Sequence, residues 1–89
     1  MVWKIKWDER AEKDLKKLDK AFAKQIIRYM SERISSLSNP RAFGKGLKYE
    51  KYGLWRYRVE NYRIVCRIHD DSVEILVIRV GHRKDVYDE

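Results

Sequence analysis

Hydrophobic positions divide the chain into two regimes. Val2-Trp3-Lys4-Ile5-Lys6-Trp7 carries its apolar residues at every second position, which predicts a short strand with Trp3, Ile5 and Trp7 facing inward. Asp8 is a good N-cap for a helix opening at Glu9, and Glu9 and Glu12 suit the positive end of its dipole. Ala11, Leu15, Leu18 and Phe22 then recur at helical spacing, with a turn at Leu18-Asp19-Lys20. A second apolar stripe runs through Phe22, Ile26, Met30, either Arg33 or Ile34, and Leu37, until Asn39-Pro40 ends it. From Leu47 the period changes to two. Leu47-Lys48-Tyr49 reads as a short strand, and 54–59, 62–68 and 73–80 as longer ones, joined by turns at Glu60-Asn61 and Asp70-Asp71-Ser72. Connections so short require antiparallel neighbours.

The last strand is apolar on both faces, so it belongs in the interior of the sheet with helices over one side. The expected order is β-α-α-β-β-β: an N-terminal strand, a helical hairpin, and an antiparallel sheet of three to four strands. This is an α+β domain, and at 89 residues it accounts for the whole chain, 1–89, as one unit.

Composition narrows the class. A single cysteine, Cys66, forms no internal disulfide, and the longest apolar run is Ile75 to Ile78, far too short for a membrane span. Both observations point to a small soluble protein of a reducing cytoplasm. Lys plus Arg number 21 against 14 acidic residues, a net charge of +7 that attracts polyanions. The predicted hairpin wears much of this excess on its outer face, through Lys13, Lys16, Lys17, Lys20, Lys24 and Arg28.

The arginines of the second half carry more information. If Glu60-Asn61 form a two-residue loop, facing positions sum to 121 and the register follows. Trp55, Tyr57, Val59, Tyr62, Ile64 and Cys66 then share an apolar face, which makes Cys66 a structural residue, and all three tryptophans and Phe22 are assigned to the core. Arg56, Arg58, Arg63 and Arg67 share the other, with Arg58 directly opposite Arg63. Like charges so placed cost up to about 1 kcal/mol, a cost that an anion between them would remove. Guanidinium groups grip phosphate oxygens in a forked, bidentate way that lysine does not. After the last strand, Gly81 permits a sharp exit, followed by His82, Arg83, Lys84 and Tyr87. His82 suits a general acid or base, and Tyr87 suits stacking on a base or proton donation. No Cys/His group has metal-ligand spacing and no glycine-rich phosphate loop opens a helix, so neither a metal nor a cofactor is expected.

The segments Leu54-Trp55-Arg56-Tyr57-Arg58-Val59, Tyr62-Arg63-Ile64-Val65 and Val80-Gly81-His82-Arg83-Lys84-Asp85-Val86-Tyr87 closely resemble the RelE/ParE toxin superfamily, on its RelE side. The resemblance covers essentially the whole chain. It implies a toxin of a type II toxin–antitoxin pair: an endoribonuclease that cuts mRNA in the ribosomal A site and is held inactive by a RelB-like antitoxin. By motif it places Arg56, Arg58, Arg63 and Arg83 at the scissile phosphate and Tyr87 against a base, with Lys48, Lys51, Arg67 and Lys84 along the RNA. Relatives often carry lysine where this chain has Arg56 or Arg58, and arginine is a poor proton acceptor at neutral pH. His82, Lys48, Glu50 and Lys51 are therefore the candidates for the base. The alternatives are a ParE-like toxin that inhibits DNA gyrase and a non-catalytic RNA-binding module.

Overall fold

The computed structural model describes residues 2–47 and 53–82. Strand β1 (Lys4–Trp7) leads through Asp8 into helix α1 (Glu9–Lys16). The Asp8 carboxylate accepts the Arg10 backbone N–H at 2.9 Å, which satisfies one of the orphan donors of the first turn. Asp19 does the same for Ala21 at 3.0 Å and opens helix α2 (Lys20–Arg28).

The second helix continues past Arg28 as a π-helical turn, Tyr29–Ile34. The wider turn shifts the phase of the apolar stripe and decides between its two candidates. Met30 and Ile34 are fully buried, whereas Arg33 is exposed and lies over the Phe43 ring at 5.3 Å. The helix ends at Ser35, earlier than Asn39-Pro40. Ser35 is buried and binds Trp3, the residue before β1, twice: its hydroxyl donates to the Trp3 carbonyl at 2.5 Å and its carbonyl accepts from the Trp3 N–H at 2.8 Å. Asn39 then caps a single 3-10 turn, Pro40–Ala42.

The sheet has five strands in the order β1-β5-β4-β3-β2. Strands β2 (Lys45–Gly46), β3 (Trp55–Val59), β4 (Tyr62–His69) and β5 (Glu74–His82) each run antiparallel to the next, and β1 lies parallel to β5. The short β2 falls two residues before the expected Leu47–Tyr49, of which Lys48 and Tyr49 lie outside the described residues. Strand β5 is interior, as its two apolar faces require.

Helices α1 and α2 cover one sheet face. Ala11, Ile26, Met30, Ile34, Tyr57, Ile64, Cys66, Ile75 and Val77 form the fully buried heart of the core. Fully burying each large side chain of this set contributes about 1.5–3 kcal/mol. Trp3 is buried, and Trp7 and Trp55 pack against the cluster half-buried. Phe22 departs from expectation: it is 38% exposed, because it sits at the start of α2 beyond the sheet's centre, where its ring meets only Tyr62 (centroids 5.3 Å apart) among the described aromatic contacts. Burial pushes the Cys66 thiol well above its usual range, consistent with an inert structural cysteine.

The segment between the helices and β3 is tied down at three points. The Tyr57 hydroxyl donates to the Pro40 carbonyl at 2.6 Å, and the Trp55 indole donates to the Phe43 carbonyl at 2.8 Å. Arg41 forks onto Asp70 with two hydrogen bonds of 3.0 Å.

Candidate functional site

The β3–β4 hairpin adopts the register that a two-residue loop dictates. Val59 pairs with Tyr62, Arg58 with Arg63, Tyr57 with Ile64, Arg56 with Val65, and Trp55 with Cys66. Glu60 takes the positive φ that the tight turn demands, 56°. Because Tyr57, Ile64 and Cys66 belong to the core under the helices, strand alternation puts Arg56, Arg58, Arg63 and Arg67 on the opposite face, away from α1 and α2.

The four arginines are not equivalent. Arg58 and Arg67 are exposed and Arg56 is half-buried, but Arg63 is only 3% exposed. Arg63 is thus no solvated strand residue. It sits between Arg58 on β3 and Gly81 on β5, and Gly81 has no side chain to occupy the far side of that rung. Arg56 and Arg63 both make further interactions besides these. Two guanidinium groups held side by side repel each other, and an anion between them would offset that repulsion.

A fifth cation joins them. Lys45 on β2 stands directly opposite Arg56, on the same face. Periodicity, which changes to two only from Leu47, gave no strand at Lys45. The signal was Gly44, which adopts φ 83°, with its Cα so close to β3 that an added Cβ would lie 2.3 Å from the Arg56 carbonyl oxygen. A glycine pressed against a strand marks an adjoining strand, here the two residues that bring Lys45 into the sheet.

His82 goes elsewhere. Strand β5 runs two residues beyond the expected Val80, so Gly81 lies within the ladder rather than at an exit, opposite Arg63. His82 pairs with Tyr62 and contacts its ring edge-on at 6.0 Å, beside Lys17 and Leu18 just after α1, on the helix side of the sheet. This corrects its candidacy as a base at the arginine face: it is one rung away but on the opposite surface. Arg83, Lys84, Tyr87, Lys48, Glu50 and Lys51 lie outside the described residues.

Asp14, which the sequence did not single out, holds the end of β5. Between Val65 and Cys66 the β4–β5 register shifts, so that Val65 faces Arg79 while Cys66 faces Val77, and Ile78 is the extra residue of a bulge. Strand β1 has ended by then, its last link being the Asp8 N–H to the Val77 carbonyl at 2.8 Å. The Asp14 carboxylate takes its place along that edge, accepting the Val80 N–H at 2.9 Å and Arg79 Nε at 2.8 Å. Burial alone would raise the Asp14 pKa. The Arg79 and Val80 hydrogen bonds outweigh it and hold the carboxyl below the usual range.

Comparison with known proteins agrees with this architecture. Residues 5–87 match the family model described as the ParE toxin of the type II toxin–antitoxin system parDE. A putative RelE-like toxin protein of Escherichia coli is 32% identical over 98% of this chain and 92% of its own length. Toxin RelG of Mycobacterium tuberculosis is 29% identical over 98% of both chains. The fold superposes with a TM-score of 0.86, at 27% identity, on a chain of the RelBE2 toxin–antitoxin complex of M. tuberculosis, covering 96% of this chain and 95% of that one. A chain with this fold and with arginines on the sheet face away from α1 and α2, matched along nearly its full length, thus belongs to the ParE toxin family, and it is a type II toxin of the RelE/ParE superfamily.

Proposed function

We propose that this toxin is an endoribonuclease that cleaves mRNA in the ribosomal A site by attack of a ribose 2′-hydroxyl on the adjacent phosphorus. The observation that carries this reading is the Arg58–Arg63 pair, one guanidinium exposed and one buried, opposed on the sheet face that the helices leave open. In this step the 2′-oxygen loses its proton to a base and bonds to phosphorus. The bond from phosphorus to the 5′-oxygen breaks, and that oxygen takes up a proton, leaving a 2′,3′-cyclic phosphate and a 5′-hydroxyl end. Arg58 and Arg63 bracket the phosphate and stabilise the charge that builds on its oxygens, commonly the largest single contribution to such catalysis. Arg83 serves the leaving oxygen, and Tyr87 stacks on the neighbouring base. The proton acceptor comes from Lys48, Glu50 or Lys51, or the ribosome positions the 2′-hydroxyl well enough to manage without one. The cognate partner is an antitoxin of the RelB kind, as the matched M. tuberculosis complex supports.

Mapping mRNA 5′ ends by primer extension after brief induction, with and without translation, tests the proposal. Arg58→Ala and Arg63→Ala each abolish cleavage and toxicity while the fold survives; undiminished cleavage in both variants overturns it. A second reading, inhibition of DNA gyrase, draws support from the ParE description of the matched family. Intact polysomal mRNA together with DNA breaks on expression would select it.

A further inference from the structure

The end of β5 is built differently from the rest of the strand. Strand β1 pairs with residues 74–77 and stops there. Residues 79–82 continue past it with β4 on one side and, among the described residues, no strand on the other. Asp14 of α1 occupies that second side. Only 9% exposed, it accepts the Val80 N–H at 2.9 Å and binds the Arg79 guanidinium at 2.8 and 3.3 Å. Val80 therefore turns its N–H away from β4 and towards α1.

Ladder geometry carries that orientation to the arginines. Backbone groups of successive strand residues point to alternate sides, so with Val80 facing Asp14, Gly81 directs its N–H and carbonyl at its β4 partner, Arg63. The hairpin gives the same answer from its other end. Its closing pair, Val59 and Tyr62, bonds across β3 and β4, which leaves the Arg63 backbone to bond towards β5. On the β3 side Arg63 then meets Arg58 in a non-hydrogen-bonded pair, the kind that brings side chains closest, with about 4.5 Å between Cα atoms. We propose that Asp14 is a positioning residue for RNA cleavage. Through Val80 and Gly81 it fixes where Arg63 stands against Arg58, and so how the two guanidinium groups are set about a phosphate. The inference rests on the endoribonuclease reading of that pair.

A carboxylate suits this post better than a neutral acceptor. Arg79 pairs with Val65, which alternates onto the same face of β4 as Arg63, and Asp14 gives this further cation a counter-charge at the sheet edge. The link is also short enough to matter, since a displacement of about 1 Å in a reacting group can slow a reaction about 100-fold. Because Asp14 is nearly buried at the strand edge, its loss should slow the chemical step and leave binding of the RNA unchanged.

The test follows single-turnover cleavage of A-site mRNA on programmed ribosomes at rising toxin concentration, for the full chain, Asp14→Asn and Asp14→Leu. Thermal melting sets an assay temperature at which all three are folded. Asp14→Leu is expected to lower the maximal rate about 10–100-fold, with the half-saturating concentration within about twofold of the parent's. Asp14→Asn keeps an oxygen for the Val80 N–H and should recover most of that loss. Amide exchange at Arg63 and Gly81 should quicken about tenfold or more in Asp14→Leu, while Ile75 and Val77, where β1 flanks β5, stay within about twofold. Unchanged exchange at Arg63 and Gly81 overturns the positioning role. So does a maximal rate equal to the parent's, or a loss confined to the half-saturating concentration. A parent chain that cuts no RNA removes the endoribonuclease reading and this inference with it, an outcome distinct from a parent that cuts beside a variant that cuts as fast.

Discussion

At the scale of single residues, opposed arginines that look alike in the sequence make different demands on the fold. Arg58 is exposed and Arg63 is 3% exposed. Removing Arg58 deletes a repulsion and little packing, so Arg58→Ala should leave stability unchanged or raise it by up to about 1 kcal/mol. Removing Arg63 empties a filled site, and Arg63→Ala should lower stability by about 1–3 kcal/mol. Urea midpoints of the two variants, compared at equal slope, check the split. If both lose activity, only for Arg63 does part of the loss follow from instability.

Asp14 adds a dependence on pH. Its carboxyl is held below the usual range in the folded chain, so the stability it contributes is fully present above its unfolded value, about 3.9, and is lost as pH falls through the folded value. Lys17 and Arg79 are the cations facing it, and both favour the charged form. Asn in its place still offers an oxygen to the Val80 N–H but carries no charge to titrate. Wild type should therefore lose stability on acidification below about pH 4 more steeply than Asp14→Asn, while at neutral pH the variant is the weaker. Thermal melts at pH 3 and pH 7 measure both differences.

At the scale of elements, the strands were legible because strict alternation and short turns leave little choice of register. The 54–68 hairpin folds as its facing positions sum, although Glu60 must adopt a left-handed φ to close it. The helices were legible in position but not in phase, since a π-turn inserts a residue that no 3.6-residue template anticipates. Two features of the site lay beyond pattern. Lys45 belongs to a strand too short to show a period, and Asp14 satisfies a backbone donor 66 residues away, which only the tertiary fold brings near. His82 was misplaced because β5 runs two residues past Val80, so that His82 stays in the ladder and shares a face with its partner Tyr62. Gly44 tests how β2 is seated. With φ 83° and the Arg56 carbonyl in the way of any Cβ, Gly44→Ala should cost well over 1 kcal/mol. It should also speed amide exchange at Gly46 and Leu47 more than at Ile64 or Val65, read by hydrogen-exchange NMR.

At the scale of the whole molecule, the two ends of the chain depend on each other. Among the described strands, β1 pairs with residues 74–77 of β5, so the first of them is completed by the last. A chain ending at Ser72 keeps both helices and two complete strands of the hairpin but has neither a seat for β1 nor the edge that Asp14 closes. Such a truncated chain is expected to show no cooperative thermal transition by circular dichroism, whereas the full chain melts in one step.

That pairing has a consequence for synthesis. A nascent polypeptide leaves the ribosome amino end first, and here residues 4–7 wait, unmatched, until residues 74–77 have been decoded. The five-stranded sheet is therefore closed only after residue 77 has emerged, long after the 54–68 hairpin that carries the arginines.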